Sequence, residues 1–179
     1  MFISLFRGRK DVYAQRWDAK RVKGYSSIGY KTKSDVKFPD TGNIIFNGTS
    51  FLPVFTNDLL SAKREVMIVS PYLTKTRIAK MMETLDSVIL SGVKLAVTTR
   101  PVDDYADKDR LRITALIDLL RKHDVKVIER PNIHQKFAVI DNRTSWYGSI
   151  NLLNFGSSEE SIMRLESKGI SEELLRTLE

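Results

Sequence analysis

Residues 133–151 read IHQKFAVIDNRTSWYGSIN, and this stretch is the most informative part of the sequence for predicting the fold. Residues 137–140 form a continuous apolar run, which is typical of a β-strand buried on both faces. Asp141 and Asn142 predict a tight turn, because both residue types tolerate turn conformations. Residues 144–147 then return as a second strand. The stretch therefore predicts a hairpin inside a sheet that is covered on both sides.

Polar residues recur at fixed intervals around this hairpin. They follow the pattern H-x-K-x4-D-x6-G-S-x-N, filled by His134, Lys136, Asp141, Gly148, Ser149 and Asn151. This pattern resembles the HKD motif of the phospholipase D superfamily at every fixed position and spacing. On a strand, His134 and Lys136 would project from the same face, because they are two residues apart.

The resemblance implies a role for each of these residues. His134 would be the nucleophile that attacks phosphorus and forms a phosphohistidine. Lys136 would neutralise charge on the phosphoryl oxygens, to which Ser149 and Asn151 would also donate. For Asp141 and Gly148 the resemblance implies structural roles, and we expect Gly148 and Ser149 to let backbone approach a phosphate closely.

A carboxylate downstream of the asparagine orients the nucleophilic histidine in this superfamily. The candidates here are Glu159 and Glu160. We favour Glu160 as a catalytic residue, because it would share a strand face with Ile162 and Arg164.

Members of the superfamily use two HKD motifs, whereas this chain contains one. The only other histidine, His123, follows a predicted helix and has no lysine two residues later, so a capping role is expected for it. Small bacterial nucleases of the superfamily with a single motif are two-fold dimers. The resemblance therefore implies a homodimer with the active site on the two-fold axis. No cofactor and no metal are expected.

Periodicity outside the hairpin alternates between strand and helix. Strands are predicted at residues 44–46, 66–69, 93–99 and 125–128, separated by three amphipathic helices. Together with the resemblance, this predicts an α/β fold with a mixed, largely parallel central sheet flanked by helices. The aspartates between residues 103 and 109 are assigned to a surface loop and helix cap, with a metal site as the alternative.

The first part of the chain differs from the rest. Residues 1–40 interleave basic and aromatic residues, so they predict an N-terminal arm or extension, and residues 41–179 form the predicted phospholipase D-like catalytic domain. Such interleaving can grip phosphates and stack on bases, although it also suits a solvated arm. The stretch SLFRGRKDVYAQRWD resembles primase-like modules of bacterial conflict systems, which suggests a restriction or defence role and a helicase as a further partner.

The net charge and the composition of the chain indicate which class of partner it binds. The net charge of +7 and the pI near 9.6 favour a polyanionic partner, for which we expect nucleic acid, DNA before RNA. The sequence has no cysteine, which excludes disulfides and cysteine nucleophiles. With no apolar run long enough to span a bilayer and no signal-like start, we expect a cytoplasmic protein without a membrane partner.

Three functions remain open from the sequence. The favoured one is a metal-independent nuclease that acts through a phosphohistidine. The alternatives are a non-catalytic nucleic-acid-binding module with a phosphate pocket and a phospholipid phosphodiesterase.

Overall fold

The structure, a computed structural model, describes residues 44–154 and 159–179. The predicted N-terminal arm lies outside the described residues. Seven strands form one sheet: β1 (Ile44–Asn47), β2 (Glu65–Val69), β3 (Lys94–Thr99), β4 (Lys126–Glu129), β5 (Phe137–Ile140), β6 (Thr144–Gly148) and β7 (Ser161–Glu166). Four α-helices accompany them: α1 (Phe51–Leu60), α2 (Lys75–Leu90), α3 (Asp107–Lys122) and α4 (Lys168–Arg176).

The strands are ordered β1-β7-β6-β5-β2-β3-β4. The α/β class and the mixed sheet flanked by helices are confirmed, but the expectation of a largely parallel sheet is wrong. Only β2–β3 and β3–β4 are parallel, while the other four pairs are antiparallel. The two parallel pairs are joined through the long helices α2 and α3. By contrast, β5 and β6 are joined by a tight turn, which can only reverse the chain.

Helices cover both faces of the sheet. In β6, Trp146 donates from Nε1 to Asp58 of α1 at 3.0 Å, while the neighbouring Ser145 hydroxyl contacts Ser171 of α4 at 2.8 Å. Because adjacent residues of a strand point to opposite faces, α1 and α4 lie on opposite sides of the sheet. The right-handed connections through α2 and α3 place these helices on one common side.

The core on the α1 side explains the periodicity of the sequence. Its fully buried residues come from the predicted helical stripes and the central strands: Phe51, Phe55, Leu59, Ile68, Ile78, Met81, Leu85, Ile113, Ile117 and Trp146. A smaller cluster of Val69, Ile133, Phe137 and Val139 packs against leucines of the α4 segment. Residues 137–140 are all buried, as the apolar run predicted.

A buried ion pair ties α1 to the antiparallel half of the sheet. Arg164 of β7 donates from Nε to Asp58 at 2.6 Å and from Nη2 at 3.1 Å, and both side chains are 5% exposed. Burial alone would lower the pKa of Arg164, but its bonds and charge interactions with Asp58 and Glu166 raise it. Arg164 therefore remains charged in the interior.

Within the part of the chain that the structure describes, no helix is long and apolar enough to cross a membrane. The longest helices, α2 and α3, have 16 residues each.

Candidate active site

His134 and Lys136 lie in the extended segment between β4 and β5 rather than on a strand, contrary to the prediction. Pro131 has no N–H to donate, and Asn132 turns the chain with a φ of 59°. The ladder reaches only as far as the carbonyl of Lys136, which accepts from the Gly148 N–H at 3.3 Å. His134 is therefore exposed, while Lys136 is half-buried.

This segment lies at the sheet edge where the parallel strands β2 and β3 end. Phe137, the first residue of β5, is paired with Val69, the last residue of β2. Arg130 donates its N–H to the carbonyl of Thr99, the last residue of β3, at 2.9 Å. The carboxyl ends of parallel strands are the usual place for a site in an α/β sheet.

The Lys136 side chain folds back onto His134. Its Nζ donates to the His134 carbonyl at 2.8 Å and lies 3.4 Å from the ring nitrogen Nδ1. Burial lowers the pKa of Lys136, the nearby Glu160 raises it, and the positive charge of Arg100 lowers it further. Lys136 therefore lies near one acidic residue, Glu160, and one basic residue, Arg100.

Glu160 immediately precedes β7 and is near enough to influence the pKa of Lys136. Within residues 44–154 and 159–179, no hydrogen bond joins it to His134. Glu159, the alternative, is exposed. The assignment of Glu160 as the orienting carboxylate stays a prediction.

Gly148 and Ser149 secure the start of β7. A Cβ atom on Gly148 would lie 2.3 Å from the carbonyl oxygen of Ser161, so only glycine permits this approach of the two strands. The Ser149 hydroxyl donates to the Ser161 carbonyl at 3.2 Å and accepts from its N–H at 3.0 Å. The close approach at Gly148 is thus to the β7 backbone, and Ser149 positions the strand that follows Glu160.

Asn151 follows the hairpin and is half-buried. Its Oδ1 is buried and has no hydrogen-bond partner within the described residues. The role of Asn151 as a donor to a phosphoryl oxygen stays a prediction.

Asp141 holds the other end of β5. Its carboxylate accepts from the backbone N–H groups of Lys63 and Arg64 at 2.8 Å each and of Glu65 at 3.1 Å. Asp141 and Asn142 have φ values of 54° and 51°, the left-handed geometry of a tight hairpin turn. Burial tends to raise the pKa of Asp141, but the three N–H donors outweigh it and lower the pKa.

Replacing Asp141 by Asn should therefore destabilise the fold in a pH-dependent way. Charged acceptors bind N–H groups more strongly than neutral ones, so we expect a loss of about 1 kcal/mol at neutral pH, given the exposure of the site. Because the pKa of Asp141 is lower in the folded state, its charged carboxylate stabilises the fold fully at pH values above the unfolded pKa of about 3.9. This stabilisation is lost as the pH falls through the folded pKa. Urea unfolding at pH 7 and pH 3 measures the difference. A deficit that is equal at both pH values would contradict this role.

Arg100 and Tyr72 are site residues that sequence reasoning missed. Arg100 follows β3 and donates from Nε to the carbonyl of Ile133, the residue before His134, at 3.0 Å. Its guanidinium carbon lies 4.8 Å from the centre of the Tyr72 ring, and Tyr72 follows β2. The strand order brings β2 and β3 beside β5, and no local motif in the sequence announces that order.

The remaining candidates make contacts with residues other than His134 and Lys136. His123 is the C-cap of α3, and its Nδ1 is 2.8 Å from Asp86 of α2, at the edge of the sheet opposite to His134. Asp107 and Asp109 lie in the first turn of α3, where they pair with Arg110 and Arg112. The described residues contain no group of three acidic or histidine side chains arranged for a metal ion.

Comparison with known proteins identifies the family of the chain. Residues 55–179 match the family model described as "Cardiolipin synthase, PLD-like domain". The chain belongs to this family of phospholipase D-like domains. The resemblance carried by the HKD motif is thereby confirmed, and membership supports a phosphodiester hydrolase in general terms. A search of curated proteins found no match.

Several solved structures share the phospholipase D-like fold. NucT from Helicobacter pylori is 20% identical over 75% of this chain and 91% of its own, with a TM-score of 0.58. The phospholipase D family member Nuc from Salmonella typhimurium is 16% identical over the same shares, with a TM-score of 0.59. TrmBL2, an archaeal chromatin protein with a novel mode of DNA binding, is 9% identical over 98% of this chain and 65% of its own, with a TM-score of 0.53.

Proposed function

We propose that this phospholipase D-like chain is a metal-independent nuclease that cleaves phosphodiesters through a phosphohistidine on His134. The observation that carries the proposal is the exposed His134 ring with the Lys136 ammonium 3.4 Å from Nδ1, inside a complete HKD motif. Nucleic acid is favoured as the substrate by the net charge of +7. The DNA binding described for the chromatin protein TrmBL2 supports the same choice.

The chemistry follows from the two ring nitrogens. Nδ1 faces Lys136, so Nε2 is the nitrogen available for attack on phosphorus. Attack through Nε2 requires a proton on Nδ1, and a protonated Nδ1 cannot accept from the lysine. We therefore expect a bound phosphate to draw the Lys136 ammonium to its own oxygens, while the Glu160 carboxylate accepts a hydrogen bond from Nδ1–H.

The leaving oxygen needs a proton donor, and the attacking water later needs a base. As the bond from Nε2 to phosphorus forms, the bond to the leaving oxygen breaks, and that oxygen takes a proton from a second imidazolium. The resulting neutral imidazole then removes a proton from water, which attacks phosphorus and releases Nε2. His123 cannot be this group, because it lies at the opposite edge of the sheet, paired with Asp86. His134 of a second copy is the proposed donor.

The proposed dimer is tested by its mass in solution. Because each active site uses His134 from both copies, sedimentation at micromolar concentration should give a species of twice the chain mass of 20.5 kDa. A monomer at all concentrations, combined with full activity, would contradict the proposal.

Activity without metal is the second expected result. Lys136 supplies the positive charge that a divalent metal ion provides in other hydrolases. Plasmid DNA, oligodeoxynucleotides and RNA are tested in turn. Each of them that the protein cleaves should be cleaved at the same rate with and without EDTA. Loss of cleavage in EDTA and its recovery with magnesium would reject the mechanism, whereas binding without any cleavage would favour the non-catalytic module.

A phospholipid phosphodiesterase is the second candidate, because one observation favours it. Ile45, Met163 and Tyr147 are neighbours across β1, β7 and β6, and each is between 37% and 42% exposed. Such neighbouring apolar side chains are able to contact a lipid surface. Release of headgroup from phosphatidylcholine vesicles in preference to cleavage of nucleic acid would select this candidate.

The restriction or defence role and the helicase partner rest on the N-terminal stretch alone. They stay predictions, since that stretch lies outside the described residues.

A further inference from the structure

Arg100 is held rigidly beside the HKD residues. Its Nε donates to the Ile133 carbonyl at 3.0 Å, and its guanidinium lies on the Tyr72 ring at 4.8 Å. The ring of Tyr105 meets that of Tyr72 edge-on at 6.1 Å, and the Tyr105 hydroxyl donates to the Pro71 carbonyl at 2.8 Å. The guanidinium is therefore fixed on two sides by neighbours that are themselves held in place.

The terminal nitrogens of Arg100 have no partner among the described residues. Within residues 44–154 and 159–179, only Nε forms a hydrogen bond, and no carboxylate lies within ion-pair distance of the guanidinium. Arg100 is only half-buried, so these nitrogens can be reached from solvent. A guanidinium offers a planar set of donors that matches the oxygens of a phosphate.

The position of Arg100 relative to Lys136 defines which phosphate it would meet. The strand order β5-β2-β3 puts the end of β3 two strands away from the start of β5. Neighbouring strands are about 4.8 Å apart, so the two main chains are about 10 Å apart along the sheet edge, and the Arg100 side chain spans this gap as far as the Ile133 carbonyl. The Lys136 ammonium is bonded instead to the His134 carbonyl, so the two cations occupy different positions along this segment, which suits binding of neighbouring phosphates.

We propose that Arg100, supported by Tyr72, binds a backbone phosphate adjacent to the scissile one, so that the substrate is a strand with at least two phosphodiesters. The inference rests on the proposed nuclease function and narrows its substrate class. An arginine with no acid partner in the described part of the chain, close to the half-buried cation Lys136, is favoured by a bound anion, and a polynucleotide supplies anions at regular intervals. Arg100 would then hold the strand while His134 attacks.

The test measures binding in a non-cleaving background, so its result does not depend on turnover. His134→Asn is compared with His134→Asn/Arg100→Met and with the charge-matched control His134→Asn/Arg143→Met. Arg143 lies in the β5–β6 turn, at the opposite sheet edge, and is exposed. Competition against a fluorescent oligonucleotide gives affinities for a dinucleotide with one phosphate and a trinucleotide with two.

We expect the second phosphate to increase affinity about tenfold when Arg100 is present and to add little in the Arg100→Met variant. On longer single strands, log K decreases with log salt, and we expect the steepness of this decrease to be reduced by about 0.7 for each Arg100 removed. Arg100→Lys should restore the slope, because it retains the charge, and Arg143→Met should leave it unchanged.

Two results would overturn the inference. An equal loss of affinity for dinucleotide and trinucleotide in Arg100→Met would mean that Arg100 acts on the scissile phosphate or only through Ile133. A salt slope identical to that of the Arg143→Met control would mean that it contacts no phosphate. If instead wild-type protein cleaves nothing while the Arg100 slope effect is present, the nuclease proposal fails and Arg100 remains a nucleic-acid contact.

Discussion

Replacing His134 by Asn is expected to abolish phosphodiester cleavage while leaving nucleic-acid binding within a few-fold of wild type. Asn keeps a polar side chain of similar size but has no nitrogen lone pair that can attack phosphorus. Loss of a covalent nucleophile typically costs a factor of at least 10³ in turnover, because the remaining groups only bind and polarise the substrate. Single-turnover cleavage of a labelled oligonucleotide measures the rate, and fluorescence anisotropy measures the binding.

The second histidine provides the matched control. His123→Asn removes an imidazole from the surface pair with Asp86, which lies at the other edge of the sheet. The cleavage rate of this variant should stay within about twofold of wild type, since a surface pair of this kind contributes about 1 kcal/mol or less to stability. If both variants lost activity equally, His134 would have no special role.

Replacing Asp58 by Ala is expected to produce the largest loss of stability. Asp58 is 5% exposed and accepts from both Arg164 and the indole of Trp146. Its removal takes away the buried acid that bonds the Arg164 guanidinium and the hydrogen-bond acceptor of the Trp146 indole N–H. Breaking a buried pair on one side costs about 3–5 kcal/mol, which is a large fraction of the stability of a small domain. Urea unfolding followed by tryptophan fluorescence measures the loss.

Asp86→Ala is the control for this experiment. Asp86 also makes a side-chain contact across two elements, to Nδ1 of His123, but its side chain is 38% exposed. Because solvent screens exposed pairs, we expect a cost below about 1 kcal/mol. Equal costs for the two aspartates would show that burial of the Asp58–Arg164 pair contributes nothing to the free energy of unfolding.

Local pattern was sufficient for most elements of the fold and for the family, whereas α4 (Lys168–Arg176) was not predicted. The apolar run at residues 137–140 and the Asp141–Asn142 turn predicted the hairpin, because burial and left-handed geometry restrict residue choice strongly. The spacing from His134 to Asn151 predicted the family. The expectation of a largely parallel sheet was wrong, because β5 pairs antiparallel with β2, and β7 pairs antiparallel with β6 and β1.

Long-range juxtapositions could not be predicted. Asp58 and Arg164 are 106 residues apart, and neither belongs to a local motif. Arg100 reaches the site only because β3 lies next to β2 and β2 next to β5, and strand order is a property of the whole sheet. Gly148 and Ser149 match the motif, but their contacts with Ser161 depend on the approach of β7. Sequence periodicity contains no information on such distances.

Transfer of the labelled phosphate to the protein is the most direct test of nucleophilic attack by His134. A substrate carrying ³²P at the scissile phosphodiester is mixed with wild-type protein in EDTA and quenched during the first turnover. We predict a protein-bound label that is stable in base and labile in acid, as a phosphohistidine is, that maps to the peptide containing His134 and that is absent from His134→Asn but present in His123→Asn. Cleavage at the wild-type rate with no label on the protein at any quench time would contradict nucleophilic attack by His134.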